Sequence, residues 1–191
     1  MEKNELYPVF LKVHTLNVLI VGGGNVGLEK LFFMLKSSPR ARVEIVATWF
    51  HEELIALCES HPQVKRVQKA YEKSDLAEKD MVIAATDSLD VNKQVYNDCK
   101  KRHILVNVAD TPDYCDFYLG GIVTKGNVKV AISTNGKSPT TAKRLRQFFE
   151  EVLPEDIDDL VKNLHEYRKT LKGDFEEKVE KMNDVTRGLL S

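Results

Sequence analysis

A short apolar run that opens directly into a cluster of glycines constrains the fold of this chain more than any other feature. Both lie in the segment VLIVGGGNVGLEK, which begins at Val18. Asn17–Val21 has the composition of a buried strand, and the apolar residues of Val26–Leu35 recur at the spacing of one helix face. A strand that turns through glycines into a helix predicts a βαβ unit, and therefore a parallel sheet covered by helices.

Strand-like and helix-like segments alternate as far as Asp110. The predicted strands are Asn17–Val21, Arg42–Ala47, Val64–Tyr71, Met81–Thr86 and Ile104–Asp110, and the predicted helices between them are Val26–Leu35, His51–Ser60 and Val91–Lys101. The connections are short, which is typical of a Rossmann-like doubly wound parallel sheet in an α/β fold.

The alternation stops after Asp110, where a hairpin pattern begins. Phe117–Thr134 holds two apolar runs around Lys125-Gly126-Asn127 and predicts a β-hairpin. Ser138 is a good N-cap and Pro139 suits the first helical position, so a helix is expected to begin there.

The remainder of the chain predicts charged helices. Glu155–Leu190 has apolar residues mostly at three- and four-residue steps, and Gly173 predicts a break within it. We therefore expect a Rossmann domain at residues 1–113, a hairpin and helix region at 114–153 and a C-terminal helical region at 154–191.

The glycine cluster matches the G-x-G-x-x-G pattern of dinucleotide-binding proteins. The residues concerned are Gly22, Gly23, Gly24, Asn25, Val26 and Gly27. In this pattern the first glycine permits a tight turn, the second lets a diphosphate approach the main chain, and the third lets the helix pack on the strand. The helix N-terminus then holds the phosphates. The alternative is a glycine turn that serves only close packing.

The acidic residue that often binds the adenosine ribose is missing. It normally follows the glycines by about 20 residues, at the end of the second strand. Counting from Gly27 reaches Ala47-Thr48-Trp49, and Glu44 lies too early, inside the strand. Ribose recognition would then use the Thr48 hydroxyl or the backbone. The choice between NAD and NADP stays open, although the absence of arginine at the strand end argues mildly against a 2′-phosphate.

Polar residues follow the fourth and fifth strands, at the sheet edge where α/β proteins bind ligands. Thr86 and Asp87 are expected on the cofactor's side, although Asp87 could instead cap the helix that begins near Leu89. Beyond the fifth strand, a carboxylate could act as the base that dehydrogenation needs. The candidates are Asp110, Asp113 and Asp116, of which Asp110 is nearest the strand. Spacing alone favours a turn around Pro112.

A second polar cluster, STNGKSPTTAKRLR, begins at Ser133. The candidate substrate-binding residues within it are Thr134, Asn135, Lys137, Ser138, Lys143 and Arg144. Basic side chains beside a helix N-terminus suit a polyanionic substrate. The alternative is a capped helix with a solvated basic face.

Composition excludes several classes of function. A formal net charge of -1 does not favour a nucleic-acid or membrane binder. Cys58, Cys99 and Cys115 are scattered and form no CxxC, which indicates a reducing compartment and no zinc or other metal site. The N-terminal segment has no apolar signal region and no run is long enough to span a membrane, so a cytoplasmic location is expected.

Five segments, in order along the chain, resemble one known family. They are PVFLKV, VLIVGGGNVGLEK, IAATD, VNVADTPDYCDF and AISTNGKSPTTAKRLR, and the resemblance covers about residues 6–153. It is to precorrin-2 dehydrogenase / sirohydrochlorin ferrochelatase, the dehydrogenase–chelatase module of siroheme synthase. The Asn-Val-x-Asp-x-Pro stretch and the Ser-Pro loop are far more particular to that family than the glycine loop is.

The resemblance implies NAD-dependent dehydrogenation of precorrin-2 to sirohydrochlorin. Many members also insert Fe²⁺ into the product. A homodimer joined through the hairpin and the C-terminal helices is implied as well. The basic cluster would bind the carboxylates of the tetrapyrrole. The chain has no room for the methyltransferase domain of fused relatives, so chemistry with S-adenosylmethionine is not expected.

The resemblance also assigns roles to particular residues. It marks Asp110 as the essential acid, used in dehydrogenation and implicated in chelation, which reverses the interpretation from spacing alone. Asn25 and Val26 match positions of the NAD loop, and Thr48 and Trp49 match the adenosine side. Thr134 stands where some relatives have a serine described as a phosphorylation point.

Two other functions share the glycine loop. A non-catalytic NAD(H)-sensing module would need no acid beside the nicotinamide, but it should carry a DNA-binding or channel-coupling segment, and none is evident. Another NAD-dependent dehydrogenase, acting on a small substrate, would usually bring a larger catalytic domain with an acid–base His or Lys.

Overall fold

Five parallel strands form one sheet in the computed structural model, which describes residues 3–190. Their bounds are β1 Asn17–Val21, β2 Arg42–Ala47, β3 Val64–Gln68, β4 Met81–Ala84 and β5 Leu105–Val108. The strand order is β3-β2-β1-β4-β5. After β1 the chain adds β2 and β3 on one side of that strand and then β4 and β5 on its other side. The space between β1 and β4 is therefore a topological switch point. The predicted doubly wound α/β fold is confirmed.

Helices cover both faces of this sheet. They are α1 Asn25–Ser37, α2 Glu52–Glu59 and α3 Leu89–Lys100. Leu31 of α1 and Leu54 of α2 pack on one face, and Val95 of α3 packs on the other. Because both faces are covered, β1 and β4 are apolar along almost their whole length rather than alternating. Each Leu or Ile buried in these layers contributes about 1.5–3 kcal/mol.

The fourth and fifth strands end earlier than the sequence predicts. The amide of Ala85 still bonds to Val21, but that of Thr86 turns to the side chain of Asn92. Beyond β5, Asp110 has a φ of 57°, which no extended strand can include. The third strand likewise ends at Gln68 rather than Tyr71.

A second compact unit begins at Gly120, while the first extends to Leu119 and also takes in residues 135–137. Within the described residues, the second holds an antiparallel hairpin and three α-helices. Their bounds are β6 Gly121–Lys125, β7 Val128–Ile132, α4 Pro139–Val152, α5 Ile157–Thr170 and α6 Phe175–Thr186. The hairpin and the helical pattern are confirmed. The domain boundaries at residues 113 and 153 stay predictions, and residues 1, 2 and 191, at the outer ends of these domains, lie outside the described residues.

Local contacts explain how the second unit is built. Ser138 accepts a hydrogen bond from the Thr141 amide and Pro139 is the first residue of α4, as predicted. At the hairpin turn, Asp158 of α5 accepts bonds from the Asn127 amide at 2.6 Å and from its side chain at 2.7 Å. Lys162 and these donors lower the pKa of Asp158. Gly173 separates α5 from α6 with a φ of 118°, so the predicted break is confirmed.

Candidate functional site

The carboxyl ends of four neighbouring strands, β2, β1, β4 and β5, meet at one edge of the sheet. Val21 pairs with Val46 and with Ala84, and Ala84 pairs with Val108. The residues that follow these positions therefore share that edge. They are Gly22, Thr48, Thr86 and Asp110, together with their neighbours in the glycine loop and in the loops after β2 and β4. The structure thus brings together the predicted cofactor residues and the predicted acid.

Gly22 makes the turn that leaves β1. Its φ is 125°, a conformation that residues with a side chain rarely adopt. Its amide donates to the Val46 carbonyl at 2.9 Å. A side chain here would collide with the carbonyl group of Ala85. Position 22 therefore needs glycine for the backbone turn and for the approach of the loop after β4.

Gly23 and Gly27 are needed because other backbone passes very close to them. A side chain at Gly27 would collide with the carbonyl oxygen of Gly22, which lies against the first turn of α1. A side chain at Gly23 would collide with the carbonyl oxygen of Trp49. The Gly23 carbonyl also accepts a 2.8 Å bond from the amide of His51, which fixes the loop after β2 against the glycine loop.

Gly24 differs from the other three because packing does not require it. A Cβ there would meet nothing closer than the Trp49 ring, at 3.5 Å, which is an ordinary contact. Gly24 is also the N-cap of α1, and no side chain caps the helix. The first-turn amides of Asn25 and Val26 have no acceptor among residues 3–190. An open glycine beside uncapped amides is the arrangement that holds a diphosphate.

The loop after β2 presents Thr48 and Trp49 to solvent beside this helix end. The indole of Trp49 is 55% exposed although it is a large aromatic group. The Thr48 carbonyl is occupied by the side chain of Gln68, at 3.1 Å. The carboxylate of Glu44 pairs with the amine of Lys79 at 3.1 Å. Glu44 therefore does not reach the end of β2, as the sequence predicts.

Cations near the ends of β2 and β3 are engaged elsewhere. The guanidinium of Arg66 lies 5.7 Å from the centre of the Phe50 ring. Lys69 pairs with Glu72 at 3.0 Å and with Asp75 at 2.8 Å, and these hydrogen bonds raise the pKa of Lys69. Both cations near these strand ends thus already have partners within the chain.

The loop after β4 is held by a buried asparagine that the sequence did not single out. Asn92 is 5% exposed, and its Oδ1 accepts bonds from the hydroxyl of Thr86 at 2.6 Å and from its amide at 3.2 Å. Its Nδ2 donates to the Thr86 carbonyl at 3.0 Å. The only sequence signal is a polar residue one turn into α3, and the predicted role of Thr86 in binding stays a prediction.

Asp87 does not cap α3. Ser88 does so, by accepting the Val91 amide at 3.3 Å, because the helix begins one residue later than an Asp87 cap would allow. The alternative interpretation of Asp87 as an N-cap is therefore wrong. The Asp87 side chain is exposed and makes no hydrogen bond within residues 3–190.

The three carboxylates after β5 have different surroundings. Asp116 accepts the Val106 amide at 3.1 Å and pairs with Lys100, so it is committed to the fold. Asp110 and Asp113 are exposed, and neither side chain bonds to another described residue. Asp110 does lie in a turn, which the Thr111 amide closes by donating to the Val108 carbonyl at 3.3 Å, but the Asp110 side chain makes no hydrogen bond to a described residue there. Asp110 stands at the strand end in a fixed left-handed conformation with an available carboxylate.

The remaining predicted residues lie in the loop between β7 and α4 and in α4 itself. The Thr134 hydroxyl donates to the Ser138 carbonyl at 3.1 Å and accepts its amide at 3.3 Å, so both residues shape the loop. Asn135 has a φ of 53°, and Lys137 and Lys143 are exposed. Arg144 donates to Gln147 at 3.1 Å. These contacts are compatible with a solvated basic face as well as with substrate binding.

The cysteines do not form a reactive centre. Burial raises the pKa of the Cys99 thiol to about 12, and it also raises the pKa values of Cys58 and Cys115. Within residues 3–190, no three His, Cys, Asp or Glu side chains are grouped so that they could hold a metal ion. In the same range, no helix has the length and apolar character needed to cross a bilayer.

Two family models match this chain. The putative NAD(P)-binding family matches residues 9–121, and the sirohaem biosynthesis protein central family matches residues 125–151. The first match covers the whole sheet described above.

Curated relatives and a solved structure agree with these models. The siroheme synthase of Pseudoalteromonas atlantica is 33% identical over 90% of this chain and 36% of its own length. That of Pseudoalteromonas translucida is 37% identical over 90% of this chain and 34% of its own length. The chain thus spans about a third of these relatives. The structure of SirC, precorrin-2 dehydrogenase, aligns with this chain with a TM-score of 0.74 and 27% identity. The match covers 94% of this chain and 89% of that one.

Proposed function

Because the chain belongs to the putative NAD(P)-binding family, and because its residues 125–151 match the sirohaem biosynthesis protein central family, we propose that it oxidises precorrin-2 to sirohydrochlorin with NAD. The observation that carries the proposal is a pairing at one sheet edge. An open glycine with uncapped helix amides lies at the end of β1, and a carboxylate with no partner among the described residues lies at the end of β5. The family resemblance inferred from the sequence is confirmed.

The residues at this edge fit a dinucleotide. The amides of Asn25 and Val26 would hold its diphosphate at Gly24, and Thr48 and Trp49 would border the adenosine. When bound, NAD supplies the acceptor for a hydride. The engagement of Arg66 and Lys69 with other groups supports NAD over NADP, because both cations near the ends of β2 and β3 already have partners.

Asp110 supplies the base. Oxidation of precorrin-2 removes one hydrogen with its electron pair and a second as a proton, and the Asp110 carboxylate accepts that proton. The carboxylate is exposed and makes no hydrogen bond to another described residue, so its oxygens are open to accept that proton. The rigid strand end before it limits the error in its position.

The basic residues at and just before α4 bind the substrate's carboxylates. Lys137, Lys143 and Arg144 lie at or near the N-terminal half of α4, whose first residue is Pro139. Charge-assisted hydrogen bonds from such side chains to carboxylates are about twice as strong as neutral ones. Thr134, Asn135 and Ser138 shape the loop that would border the substrate.

Iron insertion is the second activity that the family resemblance brings. In this proposal Fe²⁺ is a substrate, and Asp110 takes up one of the two protons that leave the macrocycle as the metal enters, while water takes up the other. The same carboxylate would then serve both reactions.

We also propose a homodimer that works in the cytoplasm. Apolar side chains of α4 and α6 support an interface, since Phe148, Val152 and Phe175 are 53%, 56% and 72% exposed. The hairpin and C-terminal helices would join the two protomers.

The decisive assay supplies precorrin-2 and NAD to the purified protein. Formation of NADH and the change in the tetrapyrrole spectrum should proceed together, and added Fe²⁺ or Co²⁺ should then produce a separate spectral change if the chain also chelates. Tight NAD binding with no turnover of precorrin-2 would instead favour a sensing module. Iron insertion without NADH formation would leave only the chelatase.

A further inference from the structure

The loop that carries Asp110 is closed at both ends. After β5 the chain makes a short helical turn at Pro112–Tyr114 and then returns along the open side of β5. There the amide of Asp116 donates to the Val106 carbonyl at 2.8 Å, and its carboxylate accepts the Val106 amide at 3.1 Å. The returning segment thus pairs with β5 as a short strand would.

One side chain of β5 reaches across to this returning segment. Asn107 is 6% exposed, and its Nδ2 donates to the Phe117 carbonyl at 2.8 Å. The same nitrogen lies 3.3 Å from the Sγ of Cys115. Because Asn107 is three residues before Asp110 and Phe117 is seven residues after it, this amide ties the start of the loop to its end.

Backbone bonds of ordinary length join Asp116 to Val106 and Tyr114 to Thr111, and the remaining contacts inside the loop are longer or use a thiol. The Cys115 thiol donates to the Val108 carbonyl at 3.2 Å and to that of Thr111 at 3.4 Å, and thiols are poor donors. The amide of Thr111 reaches the Val108 carbonyl at 3.3 Å. Asp110 itself has a φ of 57°, which non-glycine residues adopt rarely and keep only where their surroundings hold them.

We propose that Asn107 is a positioning residue for Asp110. Its buried amide closes the loop and thereby fixes where the Asp110 carboxylate stands at the sheet edge. This inference rests on the proposed function, in which Asp110 is the base. A shift of about 1 Å in a reacting group costs on the order of 100-fold in rate, so the loss of this tie acts on turnover rather than on substrate affinity.

The first test compares Asn107→Ala with a matched control, Asn17→Ala. The side chain of Asn17 also donates to a backbone carbonyl, that of Glu78 at 3.0 Å, but at the opposite end of the sheet. We expect Asn107→Ala to lower kcat for precorrin-2 oxidation by roughly 10- to 100-fold, with KM changed less than threefold. Asn17→Ala should retain the wild-type kcat. An Asn107→Ala protein that keeps its kcat within twofold overturns the proposal, as does an equal loss in both variants.

The second test uses Asn107→Asp, which has the same shape and decides the question if the alanine variant does not fold. Its carboxylate has no hydrogen to donate to the Phe117 carbonyl, whereas the protonated acid has one. Burial favours the protonated form. Its kcat relative to wild type should therefore rise as the pH falls from 8 to 6. A ratio that does not change with pH overturns the proposal.

A readout independent of turnover separates this inference from the function on which it rests. Amide hydrogen exchange at residues 109–117 should quicken at least tenfold in Asn107→Ala or Asn107→Asp and stay unchanged in Asn17→Ala. If the wild-type protein does not oxidise precorrin-2, the proposed function fails, and the exchange result alone decides whether Asn107 holds the loop in place. Unchanged exchange in the loop would show that Asn107 does not hold it, whatever the activity.

Discussion

The carbonyl oxygen of Ala85 occupies the space that the first side-chain carbon of any residue at position 22 would need. The loops after β1 and β4 therefore meet at the switch point of the sheet with no side chain between them. Three of the four glycines in the first loop serve such contacts, whereas a Cβ at the fourth, Gly24, would make only an ordinary contact with the Trp49 ring. Substitutions can separate these two uses of glycine.

Replacing Gly24 should lower the affinity for the cofactor and leave the stability of the fold unchanged. We expect Gly24→Asp to fold with a melting temperature close to that of wild type, because a Cβ there makes only an ordinary contact. Its carboxylate would stand where the diphosphate must lie, so NAD affinity should fall at least about 100-fold, or about 3 kcal/mol. Isothermal titration with NAD measures the loss, and unchanged affinity would refute the role of the glycine loop.

Gly27→Ala is the matched change within the same loop. Its methyl group would press on the Gly22 carbonyl, so the free energy of unfolding should fall by about 1–3 kcal/mol or more. Urea unfolding measures this. If Gly24→Asp were the less stable protein of the two, the division between packing and ligand-facing glycines would be wrong.

Asp110→Ala should abolish turnover without disturbing NAD. The carboxylate is exposed and bonds to no other residue in the described range, so its removal costs little stability. Loss of a general base lowers the rate by about 100- to 10,000-fold. We expect that loss in NADH formation, with an unchanged dissociation constant for NAD. Asp113→Ala removes a similarly exposed carboxylate from the same loop and should keep most of the activity. Full turnover in Asp110→Ala would remove Asp110 from the mechanism.

Asn92→Ala should loosen the loop after β4. The amide and carbonyl of Thr86 would lose their partner, which should lower the free energy of unfolding by about 1–3 kcal/mol. Since Thr86 borders the proposed cofactor site, NAD affinity should fall about tenfold, or about 1.4 kcal/mol. Asn97 is exposed on the same helix, so Asn97→Ala is the control. Equal NAD affinity in both variants would mean that the Asn92 network is structural alone.

The thiols should resist alkylation in the folded protein. Burial raises the pKa values of all three, that of Cys99 to about 12, and the thiolate is the reactive form. At pH 8 we expect iodoacetamide to modify Cys99 at least 100 times more slowly than in urea, measured by mass spectrometry. Because the pKa of Cys99, about 12, lies well above the working pH, the alkylation rate of Cys99 should still be rising about tenfold per pH unit at pH 9. Rapid labelling of Cys99 at pH 8 would contradict its burial.

Local pattern was enough to predict the sheet and the glycine loop. The bounds of β1 and β2 follow from apolar runs that end in glycine or polar residues, and such runs carry their own signal. Ser138 and Gly173 could be identified because a helix cap and a helix break act within a few residues. The ends of β4 and β5 could not be predicted, because they depend on where the chain turns away from the sheet, at Thr86 and Asp110.

Both buried asparagines were beyond prediction for a similar reason. Asn92 bonds to a residue six positions away and Asn107 to one ten positions away, through turns whose shape the sequence does not state. The choice between Asp87 and Ser88 as the cap depended on one residue of register. The distinction between Gly23 and Gly24 required the path of a separate loop, which brings the backbone of Trp49 against one and its ring beside the other.

The way Asp116 lies along β5 has a consequence for the protein's behaviour in a crowded cell. An uncovered outer strand invites another chain to pair with it, which is a common route to intermolecular aggregation. Asp116 occupies both hydrogen-bonding groups of Val106, so a foreign strand cannot pair with the sheet at that residue. The opposite border, β3, presents Lys65 and Arg66 to solvent, where like charges would repel a second copy.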